Sequence, residues 1–240
     1  MSTLTPVDEA LKSFAAGQIV IVVDNEDREN EGDFIMLAEK ATPEKVAFIN
    51  RYSTGILCAP MNRERARALG LPLMWAKNQD TNKTAFTVTT DAKKNLTTGV
   101  SATERATTFN ELARTSAVAD DFVRPGHVFP LIAADGLLEE REGHTEAAIA
   151  MASLVGAQPV GLLCEIVNED GSMSRLPDLE KFAEAHGLPL ITIEALADYA
   201  RSKNLAAFKA VVPSLVWANL PIDGANWRIA SFTNSAGIDH

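Results

Sequence analysis

Apolar positions along the chain fall into two spacings. Short runs rich in valine and isoleucine, residues 18–23 (QIVIVV) and 34–38 (FIMLA), flank a polar stretch and predict strand, loop, strand. Residues 55–58, 158–167 and 188–193 continue the strand pattern, and residues 84–90 (TAFTVTT) alternate with period two. Segments 102–114, 144–155, 178–186 and 194–203 carry helical spacing instead. Two further helix starts are punctuated, Thr5-Pro6-Val7-Asp8, closed by Gly17, and Thr42-Pro43-Glu44, each offering a threonine cap and proline at the first helical position. This interleaving predicts a mostly parallel or mixed sheet with helices over both faces. The dense punctuation ends near residue 205, and residues 226–232 read as one further strand. Residues 1–205 are therefore expected to form one domain, and 206–240 a linker or extension.

Composition narrows the function. With 32 acidic against 22 basic side chains the chain carries a formal charge of −10, which disfavours nucleic acid and anionic membrane as partners. A hydrophobic content of 46% is that of a folded protein. The start of the sequence lacks the cationic and apolar regions of a signal peptide, and no apolar run is long enough to span a bilayer, so a cytoplasmic location is expected. Two cysteines, Cys58 and Cys164, make no disulfide framework and no zinc pair. Any metal must be held by carboxylate, imidazole and water, which points to magnesium or manganese.

The acids are unevenly spread: residues 24–33 (DNEDRENEGD) hold six of the 32. The plain reading is a solvated acidic turn. Against it, Gly32 sits inside the run, Arg28 lies among the acids, and the alternation of Glu29, Glu31 and Asp33 would set three carboxylates on one side of an extended segment, an arrangement suited to a divalent cation. His144, between Gly143 and Thr145 where a loop becomes a helix, would face the same space as the free N–H groups of the first turn, with Arg141 nearby. Glu165 lies within the apolar run 160–167 and is expected to be largely buried, with His127 available as partner for a coupled acid/base pair. Cys58 reads as a small buried hydrophobe, and His186 as a partner for a helix C-terminus.

Several ordered segments carry a resemblance. Asp27-Arg28-Glu29-Asn30-Glu31-Gly32-Asp33 after a valine-rich strand, Thr98-Gly99-Val100-Ser101-Ala102, and residues 124–131 (RPGHVFPL), 141–147 (REGHTEA), 161–166 (GLLCEI) and 168–173 (NEDGSM) together resemble the 3,4-dihydroxy-2-butanone 4-phosphate synthases of riboflavin biosynthesis across residues 5–200. The resemblance implies an α+β fold, a three-layer α/β/α sandwich with a mixed sheet. It implies a homodimeric lyase that converts D-ribulose 5-phosphate to 3,4-dihydroxy-2-butanone 4-phosphate and formate, using Mg2+ or Mn2+ and no organic cofactor. By motif, Glu29 and His144 would hold the metal. Arg28, Glu29, Asp33, Arg141, Gly143, His144, Thr145 and Glu165 would bind substrate, with Cys58, Thr98 and Ser101 lining the same pocket. His127, Glu165, Asp33 and Glu31 would serve catalysis. Glu142 departs from the small or basic residue usual beside the phosphate loop and is expected to weaken phosphate affinity. Residues 220–240 faintly resemble the opening of GTP cyclohydrolase II, without its zinc cysteines. The rivals are a catalytically silent phosphosugar- or nucleotide-binding module of the same fold and, disfavoured by charge, a nucleic-acid binder.

Overall fold

The valine-isoleucine run becomes β1 (Val20–Val23), buried along its length, and the chain returns antiparallel as β2 (Gly32–Leu37). The computed structural model describes residues 4–203 together with the backbone of 216–222 and 225–231. Strands β3 (Cys58–Met61), β4 (Thr90–Ala92), β5 (Phe122–Ile132), β6 (Gly161–Glu165) and β7 (Leu190–Thr192) complete a seven-stranded sheet in the order β4-β5-β3-β6-β2-β1-β7. The sheet is mixed: β1 with β7 and β3 with β5 run parallel, the other pairs antiparallel.

Alternation along the strands builds two cores. Ile21, Val23, Phe34 and Met36 point to one face, where α2 (Pro43–Arg51), α3 (Arg63–Ala68), α4 (Ala102–Ala113) and α6 (Leu176–His186) cover them. Val20, Val22, Ile35 and Leu37 point to the other, beneath α1 (Val7–Ala15), α5 (His144–Leu154) and α7 (Ile193–Ser202). Helix α5 is apolar nearly all round and correspondingly buried. The outcome is the three-layer α/β/α sandwich of α+β class that the motifs implied. Among the described residues, no helix is long and apolar enough to cross a membrane.

Local departures have physical causes. Thr5 does not cap α1: Pro6 takes the cap position, and Thr5 pairs with Leu190 through backbone and hydroxyl, tying the helix start to β7. Thr42 does cap α2, accepting the N–H of Lys45 at 3.4 Å. Of residues 84–90 only Thr90 enters a ladder, as the start of β4; the rest form isolated bridges, Thr87 to Leu73 and Phe86 to Leu131, shared between two partners. The third strand begins at Cys58, the last residue of its expected run, and continues through Pro60. Leu57 and Met61 accept hydrogen bonds from β5, so Pro60's missing N–H falls on the β6 side, where pairing lapses between Cys58 and the Met61–Val160 bridge. Helix α3, capped by Asn62, had no apolar periodicity to announce it. His186 does more than meet a helix end: its ring lies 4.2 Å from that of Phe182 and packs on Phe48 and Tyr52. The expected strand near the end is β9 (Ala225–Ser231), paired with β8 (Val216–Ile222). The domain boundary expected at 205 lies outside the described residues.

Gly32 is required for packing rather than for a special backbone angle; the left-handed residue of that loop is Asn30, with φ of 53°. A Cβ on Gly32 would collide with Leu179 Cδ1, in the middle of the α6 contact. Gly32→Ala is expected to destabilise by about 1–3 kcal/mol, as overpacked cores do, measurable by urea denaturation. An unchanged midpoint would show that Leu179 yields freely.

Candidate active site

The acidic loop folds around one of its own carboxylates. Asp24, buried at the end of β1, accepts the N–H groups of Glu29 at 3.0 Å and Glu31 at 2.8 Å, and Arg28 Nη1 at 2.9 Å. Arg28 also pairs with Glu29, so the one cation in the run neutralises two acids. From far along the chain, Arg175 donates to the backbone carbonyls of Glu29 and Asn30. Strapped from inside and outside, the loop holds six acids close together without unfolding. Glu29 sits on the turn itself rather than in extended chain, yet Glu29 and Asp33 still converge on one imidazole.

That imidazole is His144, the first residue of α5. Its Nε2–H donates to the Val22 carbonyl at 3.1 Å, which turns Nδ1 toward Glu29 Oε2 at 3.7 Å and Asp33 Oδ1 at 3.8 Å. Proximity to His144, reinforced by Arg28, holds the Glu29 carboxyl down at about 2. Burial pushes Asp33 up to about 7, with the Glu165, Glu29 and Glu31 charges adding to it and His144 opposing. Burial also pulls on His144, but the charges of Asp33, Glu29 and Asp24 outweigh it and lift the ring to about 9. Glu31 is raised by burial and by Glu29. Asp33 Oδ1 is buried without a hydrogen-bond partner, an arrangement that calls for a cation. Donor atoms of Asp24, Glu29 and His144 lie within 4.8 Å of one another, and hard oxygens with one imidazole nitrogen suit Mg2+ or Mn2+. Asp24 is bound into the loop by three hydrogen bonds and Glu29 takes Arg28 and Asn82; Glu29 and His144, with Asp33 beside them, are the residues that would hold a metal.

Next to this centre is a cleft of about 430 Å³ whose lining includes Arg28, Arg63, Lys83, Arg141 and Thr145. Arg141 is fixed by Glu146 at 2.5 Å, Thr84 Oγ1 at 3.1 Å and the Asn82 carbonyl at 3.1 Å. Gly143 precedes α5 in extended conformation and no side chain caps the helix; a Cβ there would collide with Arg141 Nη1. Four cations and an uncapped helix start give the cleft groups that suit an anion, although Arg28, Arg63 and Arg141 are each paired with a carboxylate. Asn82 links the two halves, its amide donating to Glu29 Oε1 at 2.6 Å while its carbonyl holds Arg141. Glu142 pairs with Arg201 on α7 at 3.2 Å and does not line the cleft.

The remaining expected residues divide. Glu165 is opposite Asp33 in the β2–β6 register and accepts the Thr54 hydroxyl at 2.6 Å. It is only half-buried, because it ends its strand. Cys58 is fully buried, its thiol pushed up by burial, and it donates to the Ile56 carbonyl at 3.4 Å. His127 does not pair with Glu165: β3 stands between β5 and β6, and the histidine is bound to Asp91 at 2.7 Å instead. Both nevertheless lie at the same end of the sheet, since Phe129 and Leu163 flank Cys58 in register. Thr98 and Ser101 belong with His127. Gly99 between them packs on Asp91 and His127, Thr98 is exposed, and Ser101 caps α4 in a reciprocal box with Glu104. One chain thus carries the expected residues in two groups. Sequence reading missed Asp91, Asn82, Glu146 and Arg175; Asp91, which follows the alternating run 84–90, and Glu146, inside the segment 141–147, had local signals.

Comparison with known proteins identifies the family. The family model for 3,4-dihydroxy-2-butanone 4-phosphate synthase matches residues 8–199. The riboflavin biosynthesis protein RibBA of Mycobacterium bovis is 53% identical over 236 residues, 98% of this chain and 54% of its own, so the chain spans about half the length of that relative. The crystal structure of the 3,4-dihydroxy-2-butanone 4-phosphate synthase of Candida albicans superposes with a TM-score of 0.77 at 48% identity, covering 82% of this chain and 97% of that one. A structure of such a synthase in complex with two magnesium ions gives 0.80 at 39%, covering 83% and 99%. On a family match that runs through nearly all of the described sandwich, the chain belongs to the 3,4-dihydroxy-2-butanone 4-phosphate synthase family.

Proposed function

We propose that this protein is a riboflavin-pathway lyase that converts D-ribulose 5-phosphate to 3,4-dihydroxy-2-butanone 4-phosphate and formate, with Mg2+ or Mn2+ held by Glu29 and His144. The observation that carries the reading is His144 Nδ1 turned onto Glu29 and onto the unpartnered Asp33 Oδ1, beside a four-cation cleft. When bound, the metal supplies Lewis-acid stabilisation of the charge that develops on the sugar's oxygens.

The chain's own groups do the rest. Arg141, Thr145 and the first-turn N–H groups after Gly143 bind the phosphate, with Arg28 at the junction between phosphate and metal. Asp33, buried beside Glu29 and His144, is the carboxyl placed to exchange a proton with the substrate. Glu165 and Glu31 flank it as further proton carriers and substrate contacts, and Cys58 lies under the same floor. His127, with Thr98 and Ser101 nearby, completes the catalytic set. Its separation from Glu29 and His144 within one chain, with exposed Ile56 and Val100 on the surface, supports a homodimer whose sites are finished near the interface. Light scattering at monomer mass would contradict this. The alignment to RibBA runs through nearly the whole chain, which supports 206–240 as an extension related to the opening of a GTP cyclohydrolase II domain. A cytoplasmic location fits a soluble sugar phosphate as substrate.

The deciding assay incubates the protein with ribulose 5-phosphate and Mg2+ and measures formate, with EDTA as control. Formate released only with metal is the expected result. Binding of the sugar phosphate without formate would make the protein a silent module.

A further inference from the structure

We propose that Asp91 is the positioning residue for His127, fixing the imidazole as the Nδ1–H tautomer so that Nε2 is the ring nitrogen presented to substrate. The inference rests on the reading above that His127 acts in the reaction.

Asp91 and His127 meet through a deliberate irregularity in the sheet. Thr90 pairs with Val128 but its neighbour Asp91 pairs with Val123, so residues 124–127 of β5 form an excursion that wraps the Asp91 side chain. The carboxylate takes both ends of the histidine: Oδ1 accepts the His127 backbone N–H at 2.8 Å and Oδ2 contacts ring Nδ1 at 2.7 Å. A carboxylate oxygen only accepts, so Nδ1 carries a proton, and in the neutral ring Nε2 is the nitrogen with the lone pair. The Asp91 side chain is 3% exposed and that of His127 44%, and Nε2 has no protein partner among the described residues. Two neighbours close the clamp. The N–H of Gly126 is held by Thr89 Oγ1 at 3.1 Å, and at Gly99 a Cβ would collide with Asp91 Oδ2 and crowd His127 Nδ1. Nothing in the Glu29–His144 centre touches Asp91, so it has no part in holding the metal. The arrangement is that of a buried carboxylate orienting a reactive imidazole, where the wrong tautomer reduces turnover by about 10⁴-fold with the geometry otherwise kept.

The test is Asp91→Asn in the full chain, read three ways. Long-range 1H–15N NMR reports the tautomer; with four histidines in the chain, His127→Asn assigns the signal. Wild-type protein is expected to show Nδ1–H at His127. The variant should lose it, with kcat for formate falling by roughly 10³- to 10⁴-fold, while KM and Mn2+ affinity stay at wild-type values. A wild-type ring protonated at Nε2 overturns the proposal even if the variant fails to fold. So does a variant that retains the Nδ1–H tautomer. A variant that loses the tautomer at undiminished kcat overturns it from the other side, because then His127 itself does not act. A rise in KM or loss of Mn2+ binding would mean that Asp91 only shapes the loop.

Discussion

Glu29→Gln is expected to remove tight Mn2+ binding and metal-dependent turnover while leaving the protein folded. Glu29 is not what holds its loop together. Asp24 accepts the loop's N–H groups and Arg175 clasps its carbonyls, and neither contact needs the Glu29 side chain. Glutamine keeps the shape that meets Asn82 but gives up the charge that faces His144. Losing a residue that merely orients a metal ligand weakens affinity by about 10–100-fold, and loss of a ligand itself should exceed ~100-fold. Electron paramagnetic resonance titration of Mn2+ gives the affinity and circular dichroism the fold. Near-wild-type binding would take Glu29 out of the ligand set and leave Asp33 as its replacement. Asp24→Asn makes the contrast: there the loop itself should loosen, and melting temperature should fall along with affinity.

What could be read from the sequence, and what could not, follows the range of each interaction. The acidic loop was legible because strand, turn and strand are contiguous, and His144 because a helix start is a local event. Its compensation was not, since Arg175 reaches Glu29 and Asn30 from more than a hundred residues away. His127 was expected to pair with Glu165, and the structure gives it another partner. Two acids were available to it, and only the strand order, with β3 between β5 and β6, assigns it to Asp91 rather than Glu165. Glu142 is the opposite case, adjacent in sequence to the cleft residues yet paired with Arg201 on α7. Residues 84–90 alternate like a strand and do hydrogen-bond, to residues 72–74 on one side and 130–132 on the other, but the pairing is split between the two and forms no ladder before β4. The sheet order itself, which sets the two groups of site residues at one end, left no trace in local pattern.

Arg141→Ala is expected to lower both phosphate affinity and stability, and the two losses have separate causes. Arg141 faces the cleft, but its Nη1 is also the partner of Glu146, whose side chain is 2% exposed. Glu146 Oε1 is satisfied by the N–H of Ala134 at 2.9 Å, so truncating Arg141 strands Oε2 and a buried charge. Breaking a buried pair from one side typically destabilises by about 3–5 kcal/mol, which for a domain of this size lowers the melting temperature by roughly 10 °C. Arg141→Ala with Glu146→Gln removes the stranded charge and should recover most of that loss, since a neutral amide can still accept from Ala134. It should not recover substrate: KM for ribulose 5-phosphate stays raised in both variants, because the guanidinium that meets the phosphate is gone from both. Thermal melts and KM on the single and double variants separate the two effects. If the double variant melts no higher than the single, Glu146 is not what Arg141 stabilises. If KM returns to the wild-type value with stability, Arg141 is a strut for Glu146, and the phosphate is held by Arg28, Arg63 and Lys83.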